Sequence, residues 1–493
     1  MYQIPPTTHY KQFINNQWVD ASDGARIERF SPGHGDQLIS TYPKGTEADA
    51  ERAIAAARKA FDTGKWASTG GADRAAILLK TSQLIRDNAK ALGLIECLES
   101  GKPISQAENE MQWAAGIWDY AAALCRTLSG ETTNTLGDGL FGMTLREPAG
   151  VVSMITPWNF PLLIVSQKLP FALAAGCCCV VKPSEFTSGT TLKLGELLQE
   201  AGLPEGVVNI VTGYGEPVGR VLSEHPDVDH VSFTGSTGVG KKIVSASAQT
   251  LKKVSLELGG KNPQIVFADA EIEAAADAIA FGIFFNMGEC CNSGSRILVH
   301  DSIADQLVEG VLAKTKNTRV GDPLDPTVQV GAIINEAQHE KILSYIEAGK
   351  ACGAKVVTGG NVLKIGEGRF IEPTLFDHVP SSASIAREEI FGPVLTIIRF
   401  TDTEEALRIA NDSLYGLSAS VWTRDFNTAM TCTRKIRAGT VWINTFMDGA
   451  PELPFGGYKE SGLGRELGPH SVEEFTEMKT VTMRLGSYES KWA

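Results

Sequence analysis

Between residues 150 and 260, short β-type runs alternate with helical stretches, and this alternation constrains the fold more than any other feature of the chain. GVVSMIT (150–156), CVVKPS (179–184), VVNIVTG (207–213), HVSFTGS (230–236) and KKVSLELGG (252–260) read as strands, being short, rich in Val and bounded by Gly or Pro. Helical segments follow the first four: PWNFPLLIVSQKLPFALAAG after its start, then 187–202, about 215–224, and 237–248. Strands joined through helices are βαβ units, so the expected fold class is α/β with a parallel, doubly wound sheet. Right-handed crossovers put the carboxyl ends of such strands along one edge, where ligands bind.

The flanking regions extend the pattern. Residues 46–65 are helical with Thr46 as N-cap, and 73–100 and 105–128 read as long amphipathic helices. A second alternating series implies a second α/β unit: helix 271–288, strand 294–299, helices 301–314 and 335–352, strands 354–357 and 393–399, helix 403–411, then strands 418–422 and 439–443. TEMKTVTMRLG (476–486) is a lone β-type segment. It is expected to pair with residues 140–148, with a second subunit, or with both, because a free strand edge invites assembly.

Composition narrows the function. With 493 residues, 43% of them hydrophobic, the chain buries cores large enough to exclude wholesale disorder. A net charge of −13 argues against a nucleic-acid surface. There is no run of about 18 apolar residues and no basic-then-apolar leader, so no membrane partner and a cytoplasmic location are expected. The nine cysteines are an odd number without a secretory signal, which implies reduced thiols. None has paired spacing with nearby histidines, so no metal site is expected.

Four segments hold residues suited to chemistry. FTGSTGVGKKI places Gly235, Ser236, Gly238 and Gly240 between a strand and a helix, where backbone N–H groups approach a phosphate. It is not a Walker loop: Gly235-x4-Gly240 is followed by Lys241-Lys242-Ile243 and lacks the Mg²⁺-binding hydroxyl, which weakens a nucleotide-hydrolase reading. VVKPSE sets Lys182 and Glu185 past a strand, where the carboxylate would take both ribose hydroxyls and repel a 2′-phosphate, favouring NAD over NADP. SLELGGKNP holds Glu257 among apolar neighbours, which should raise its pKa as a general base needs. FFNMGECCNSGSR (284–296) ends a helical run with Cys290 and Cys291, where backbone N–H groups could activate a thiolate. Taken singly, each is as easily a tight turn, a solvated loop or a buried thiol.

Together and in this order, these segments resemble the NAD(P)-dependent aldehyde dehydrogenase superfamily, closest to its betaine-aldehyde and aminoaldehyde branch. PWNFP (157–161), LELGGKNP (256–263), EEIFGPV (388–394) and PFGGYKESGLGRE (454–466) are matching blocks, and the spacing 291 − 257 = 34 also matches. The resemblance implies an NAD-binding domain (1–128 and 149–260), a catalytic domain (261–460) and an oligomerisation element (129–148 and 470–493) of a homodimer or homotetramer. It implies Cys291 as nucleophile, Glu257 as general base, Asn159 as half of an oxyanion hole, and Glu466 with Lys168 as a proton relay. Implied cofactor contacts, for NAD with NADP as the alternative, are Ile155, Thr156, Trp158, Lys182, Ser184, Glu185, Gly215, Gly219, Phe233, Gly235, Ser236, Val239, Leu258, Glu389 and Phe391. Implied substrate contacts are Trp118, Phe160, Cys290, Asn292, Glu452 and Phe455.

The implied reaction oxidises a small-molecule aldehyde to its acid through a cysteine thioester hydrolysed by water. Acyl-CoA-forming or phosphorylating relatives alter the Glu257 block, and a silent structural relative would lack Cys291. The chain departs from the family at Met287 and Glu289, and a charged Glu289 would raise the thiol's pKa unless it is paired or points away. Acidic Asp448 and Glu452, with aromatic Trp118, Tyr120, Trp158 and Phe446, suggest a grip on a cationic aldehyde such as betaine aldehyde or an ω-aminoaldehyde, or else a broad range.

Overall fold

The computed structural model describes every residue except Met1, Asp36, Glu489, Lys491 and Ala493. The five expected strands form as Val151–Ile155, Cys178–Lys182, Val208–Ile210, His230–Thr234 and Lys253–Glu257, all paired in parallel. The sheet has eight strands: Gly462–Leu463 is added beside 253–257, and the hairpin Gln12–Ile14/Gln17–Val19 beside 208–210. From Val151–Ile155 the chain winds outward through 178–182 to 208–210, then returns to pair 230–234 on the other side. The winding direction therefore reverses beside Val151–Ile155, which opens a crevice at the strand carboxyl ends. Strands such as Cys178–Lys182 are buried along their whole length because helices cover both faces.

A second sheet of seven strands runs Lys355–Thr358, Thr374–Asp377, Val394–Phe400, Arg296–His300, Pro263–Val266, Ser418–Trp422 and Thr440–Ile443, antiparallel only at its first pair. Each large sheet has its own apolar core, one around Val180 and Leu169 and one around Ile265 and Leu298. In a third, three-stranded sheet, Thr476–Arg484 runs antiparallel to Leu140–Pro148, so the tail does pair with the 140–148 segment. No described helix is long and apolar enough to cross a membrane.

Local departures have local causes. The expected helix 73–100 is two, Gly71–Asp87 and Ala89–Ser100. Asn88 breaks it, and its side-chain amide donates to the Leu84 carbonyl at 2.8 Å in competition with the helix backbone. The expected helix 271–288 stops at Phe284, because Asn286 and Met287 adopt φ of +49° and +57°. This left-handed turn redirects the chain towards Cys291. The strands Pro263–Val266 and Thr374–Asp377 and the helix Phe426–Lys435 are additional to those expected.

Candidate active site

The crevice gathers residues from adjacent strand ends. Ile155 lies in register with Lys182 on one side and with Phe233 on the other. Thr156 follows, 4% exposed, with a hydroxyl that has no protein partner. Gly219 packs so that a β-carbon there would touch both Lys182 and Ile155. Gly215 opens that turn at the surface, and buried Ser184 accepts the Phe186 N–H. The Lys182 ammonium is buried, which lowers its pKa, and it lies 3.1 Å from the Pro183 carbonyl and 3.9 Å from half-buried Glu185.

Across the crevice, Gly235 lies so close to the Phe233 ring that a side chain would collide with it. Ser236 begins the helix Thr237–Ser247 without capping it, and the first turn holds no acid, so its N–H groups remain available to a phosphate. Val239 is exposed on that turn, and Leu258 packs behind it against Gly240.

Farther along, Glu389 accepts the Gly260 N–H at 2.9 Å, and burial raises its carboxyl pKa. Phe391, at φ +61°, meets Trp158 edge-on with centroids 5.3 Å apart. Two glycines in LELGGKNP are required by close approach. A β-carbon on Gly259 would fall 2.6 Å from the Glu389 carboxylate, and one on Gly260 would fall 2.6 Å from the Cys291 carbonyl.

Cys291 is half-buried at the junction of the two large sheets. Asn262 holds its carbonyl at 2.8 Å and that of Ser293 at 2.9 Å. A hydrogen bond with Cys290, burial, and the negative Glu389 and Glu257 raise the thiol well above its usual pKa. Glu289 plays no part in this: it is fully buried, accepts the Ile334 N–H at 3.2 Å, and burial pushes its own carboxyl well up.

Asn159, 3% exposed, donates one amide hydrogen to the Glu289 carbonyl at 3.0 Å, which leaves the second free. Glu257 is 5% exposed and neither carboxyl oxygen has a hydrogen-bond partner. Burial first, then negative Glu466, push its pKa well up, against the opposing charges of Lys168 and Arg465. Glu466 is ion-paired with Lys168, whose ammonium also reaches Ser232 Oγ at 3.2 Å.

The pocket beside Cys291 is apolar. Phe160, Ile164 and Cys290 form a buried cluster flanked by Leu163, Phe285 and Met447. Phe160 stacks on Phe285 at 5.9 Å, and Phe285 meets exposed Trp113 at 6.2 Å. Half-buried Asn292 leaves its amide oxygen unpaired, and Phe455 pairs its backbone with Glu466 through two 2.7 Å bonds. Glu452 and Asp448 are exposed, the latter bonded to the Thr445 hydroxyl.

Trp118 is a correction: it is fully buried and donates to Ser166 Oγ at 3.0 Å, inside the first core. It falls on the buried stripe Met111, Ala114, Ala115, Ala121, so helical phase turns it inward. Trp113, on the other face, is the exposed aromatic residue that meets Phe285. Sequence reasoning missed Trp113, Phe285, Met447, Asn262 and Lys102. For Lys102 a signal exists, since Glu96 and Glu110 occupy buried positions of flanking helices. Among the described residues, no group of His, Cys, Asp and Glu is arranged to hold a metal ion.

A doubly wound sheet with an uncapped helix start at its crevice, beside a buried carboxyl and a half-buried thiol, is the arrangement of a dinucleotide-dependent enzyme. The aldehyde dehydrogenase family profile matches residues 18–481. A solved NAD-dependent aldehyde dehydrogenase from Sinorhizobium meliloti is 49% identical, with a TM-score of 0.97 over 98% of this chain and 96% of that one. An indole-3-acetaldehyde dehydrogenase from P. syringae, solved with NAD⁺ and IAA, is 41% identical, with a TM-score of 0.95 over 96% of each chain. A betaine aldehyde dehydrogenase from Bacillus subtilis is 42% identical over 95% of this chain and 96% of its own length. The chain belongs to the aldehyde dehydrogenase family and is an NAD(P)-dependent enzyme of the α/β aldehyde dehydrogenase fold, with NAD as its cofactor.

Proposed function

We propose that the chain oxidises an apolar-tailed aldehyde to its carboxylic acid through a thioester on Cys291. The eight-stranded sheet is the cofactor unit, the seven-stranded sheet the catalytic unit, and the sheet that pairs Thr476–Arg484 with Leu140–Pro148 the assembly element. The observation that carries the reading is the convergence on one cleft of a half-buried thiol, a buried carboxyl without hydrogen bonds and a free amide N–H.

The crevice residues fit NAD: the Gly235 approach and the open helix start suit a pyrophosphate, and Lys182 with Glu185 suits a ribose. Bound NAD supplies the acceptor for the hydride. Cys291 sulfur bonds to the aldehyde carbon and its proton passes to a base. Asn159 and the Cys291 N–H hold the oxygen as charge develops, a contribution of about 3–4 kcal/mol per donor. Loss of hydride leaves the thioester. Glu257 then takes a proton from water, the water oxygen bonds to the acyl carbon, and the C–S bond breaks to restore Cys291. Lys168 and Glu466 behind Glu257 offer that proton a path away from the cleft.

This arrangement predicts how activity depends on pH. Both working groups have raised pKa values, so their basic forms fill as pH rises and kcat increases with pH. Glu466→Gln removes a negative neighbour and frees the Lys168 charge, so the rising limb moves to lower pH. Lys168→Met moves it to higher pH. Identical limbs in wild type and both variants would remove this pair from the relay.

Relatives of nearly equal identity are named for quite different aldehydes, so the pocket walls must decide the substrate. Phe160, Ile164, Phe285 and Met447 are apolar, and the acids stand outside in water. The expected order of kcat/KM is phenylacetaldehyde and hexanal above 4-aminobutanal and betaine aldehyde. Preference for the cations would instead favour a grip by Glu452 and Tyr120. NADH formation unaffected by added CoA or phosphate separates hydrolysis from acyl transfer.

A further inference from the structure

Lys102, which the reaction above does not use, is fully buried together with Glu96 and Glu110. Its three ammonium hydrogens are all engaged: with Glu96 Oε1 at 3.0 Å, with both Glu110 oxygens at 2.7 Å, and with the Asn159 carbonyl at 2.8 Å. The same ammonium stands 4.6 Å from the Phe160 ring centroid. Glu96 extends the contact to two further helices, Pro161–Ala175 and Gly189–Ala201, with its second oxygen 3.4 Å from both the Leu162 nitrogen and Thr190 Oγ1. Burial raises the Glu110 carboxyl well above its usual range, and the carboxyls around Lys102 outweigh its burial and raise the ammonium's pKa. From the opposite side, Asn286 Nδ2 donates to the Asn159 carbonyl at 3.2 Å and to the Glu289 carbonyl at 2.9 Å. The Asn159 peptide is thus clamped between a buried cation and the turn that carries Cys291.

The geometry points to Lys102 as a positioning residue that sets the Asn159 amide, and so the oxyanion site, at a fixed distance from the nucleophile. A buried ion cluster is poor evidence of stability, since apolar residues of equal volume often serve as well. Here its contacts converge on the turn that supplies the oxyanion donor and on the aromatic residue that walls the pocket. Displacing that turn by about 1 Å is the kind of change that costs catalysis on the order of 100-fold without touching a reacting atom. Lys102 reaches the reaction only through Asn159, so the inference rests on the oxyanion reading of that residue.

The test is a double-mutant cycle read by the first-turnover burst of NADH. Lys102→Gln is expected to slow the burst roughly 10- to 100-fold, with NAD affinity, aldehyde KM and the rate of Cys291 alkylation by iodoacetamide nearly unchanged. Asn159→Ala slows it as well. In the double variant the Lys102 substitution adds little, because the donor it positions is gone. A normal burst in folded Lys102→Gln, or effects that multiply in full, overturns the clamp while leaving Asn159 its role. A normal burst in Asn159→Ala removes the oxyanion reading and the clamp with it. If Lys102→Gln does not fold, the cycle is run with Lys102→Met/Glu96→Gln/Glu110→Gln, which removes all three charges together, and the same outcomes decide.

Discussion

Cys291→Ala abolishes turnover, a loss on the order of 10⁵-fold or more, while NAD still binds. The expectation follows from exposure and company. Six of the other eight thiols, Cys97, Cys125, Cys177, Cys178, Cys179 and Cys432, are buried and their pKa is raised by burial, and half-buried Cys352 lies at the end of the helix Glu336–Ala351. Cys290 is packed against Phe160 and Ile164. Cys291 alone is reached by Glu257 and Glu389 and lies on the Asn262-held turn. Its cofactor contacts lie on other elements, so titration of NAD by protein fluorescence should be unchanged in the variant. Retained turnover would transfer the nucleophile's role to Cys290.

Glu257→Gln is the second large effect. Steady-state turnover should fall by about 10²- to 10⁴-fold, the range for loss of a general base, while a burst of NADH equal to the active sites survives. Two features separate these steps. After the hydrogen bond with Cys290 and burial, Glu257 is one of the carboxyls that raise the Cys291 thiol, so its removal does not hinder ionisation before hydride loss. Hydrolysis has no substitute base, because the neighbouring Glu466 is committed to Lys168. Intact-protein mass spectrometry of the variant, quenched after the burst, should find the acyl group on Cys291. Absence of any burst would mean that Glu257 also deprotonates the thiol before the hydride leaves.

Much of this was legible in the chain. Strand and helix periods are local, so both α/β units could be read directly, whereas the tail could be read only as a strand with its partner left open between 140–148, a second subunit or both. Where the reading slipped, a competing local effect had won: Asn88 bonding to its own helix, or left-handed Asn286 and Met287 ending another. Trp118 was misplaced because residue type was weighed above helical phase, although the phase was present in the sequence.

The sequence by itself determined the fold class and the family and nominated the thiol, carboxyl and amide proposed above, because periodicity and motif order are properties of neighbouring residues. Only the tertiary structure decided how those groups are tuned. Lys168 meets Glu466 across 298 residues of chain, and the Lys102 ammonium reaches Asn159 across 57. The pKa of Cys291 depends on its hydrogen bond with Cys290, on burial, and on carboxyls brought from the end of the strand Lys253–Glu257 and from the loop before the strand Val394–Phe400. Desolvation and Coulomb fields act through space at a few ångströms, and no spacing along the chain encodes that distance until the chain has folded.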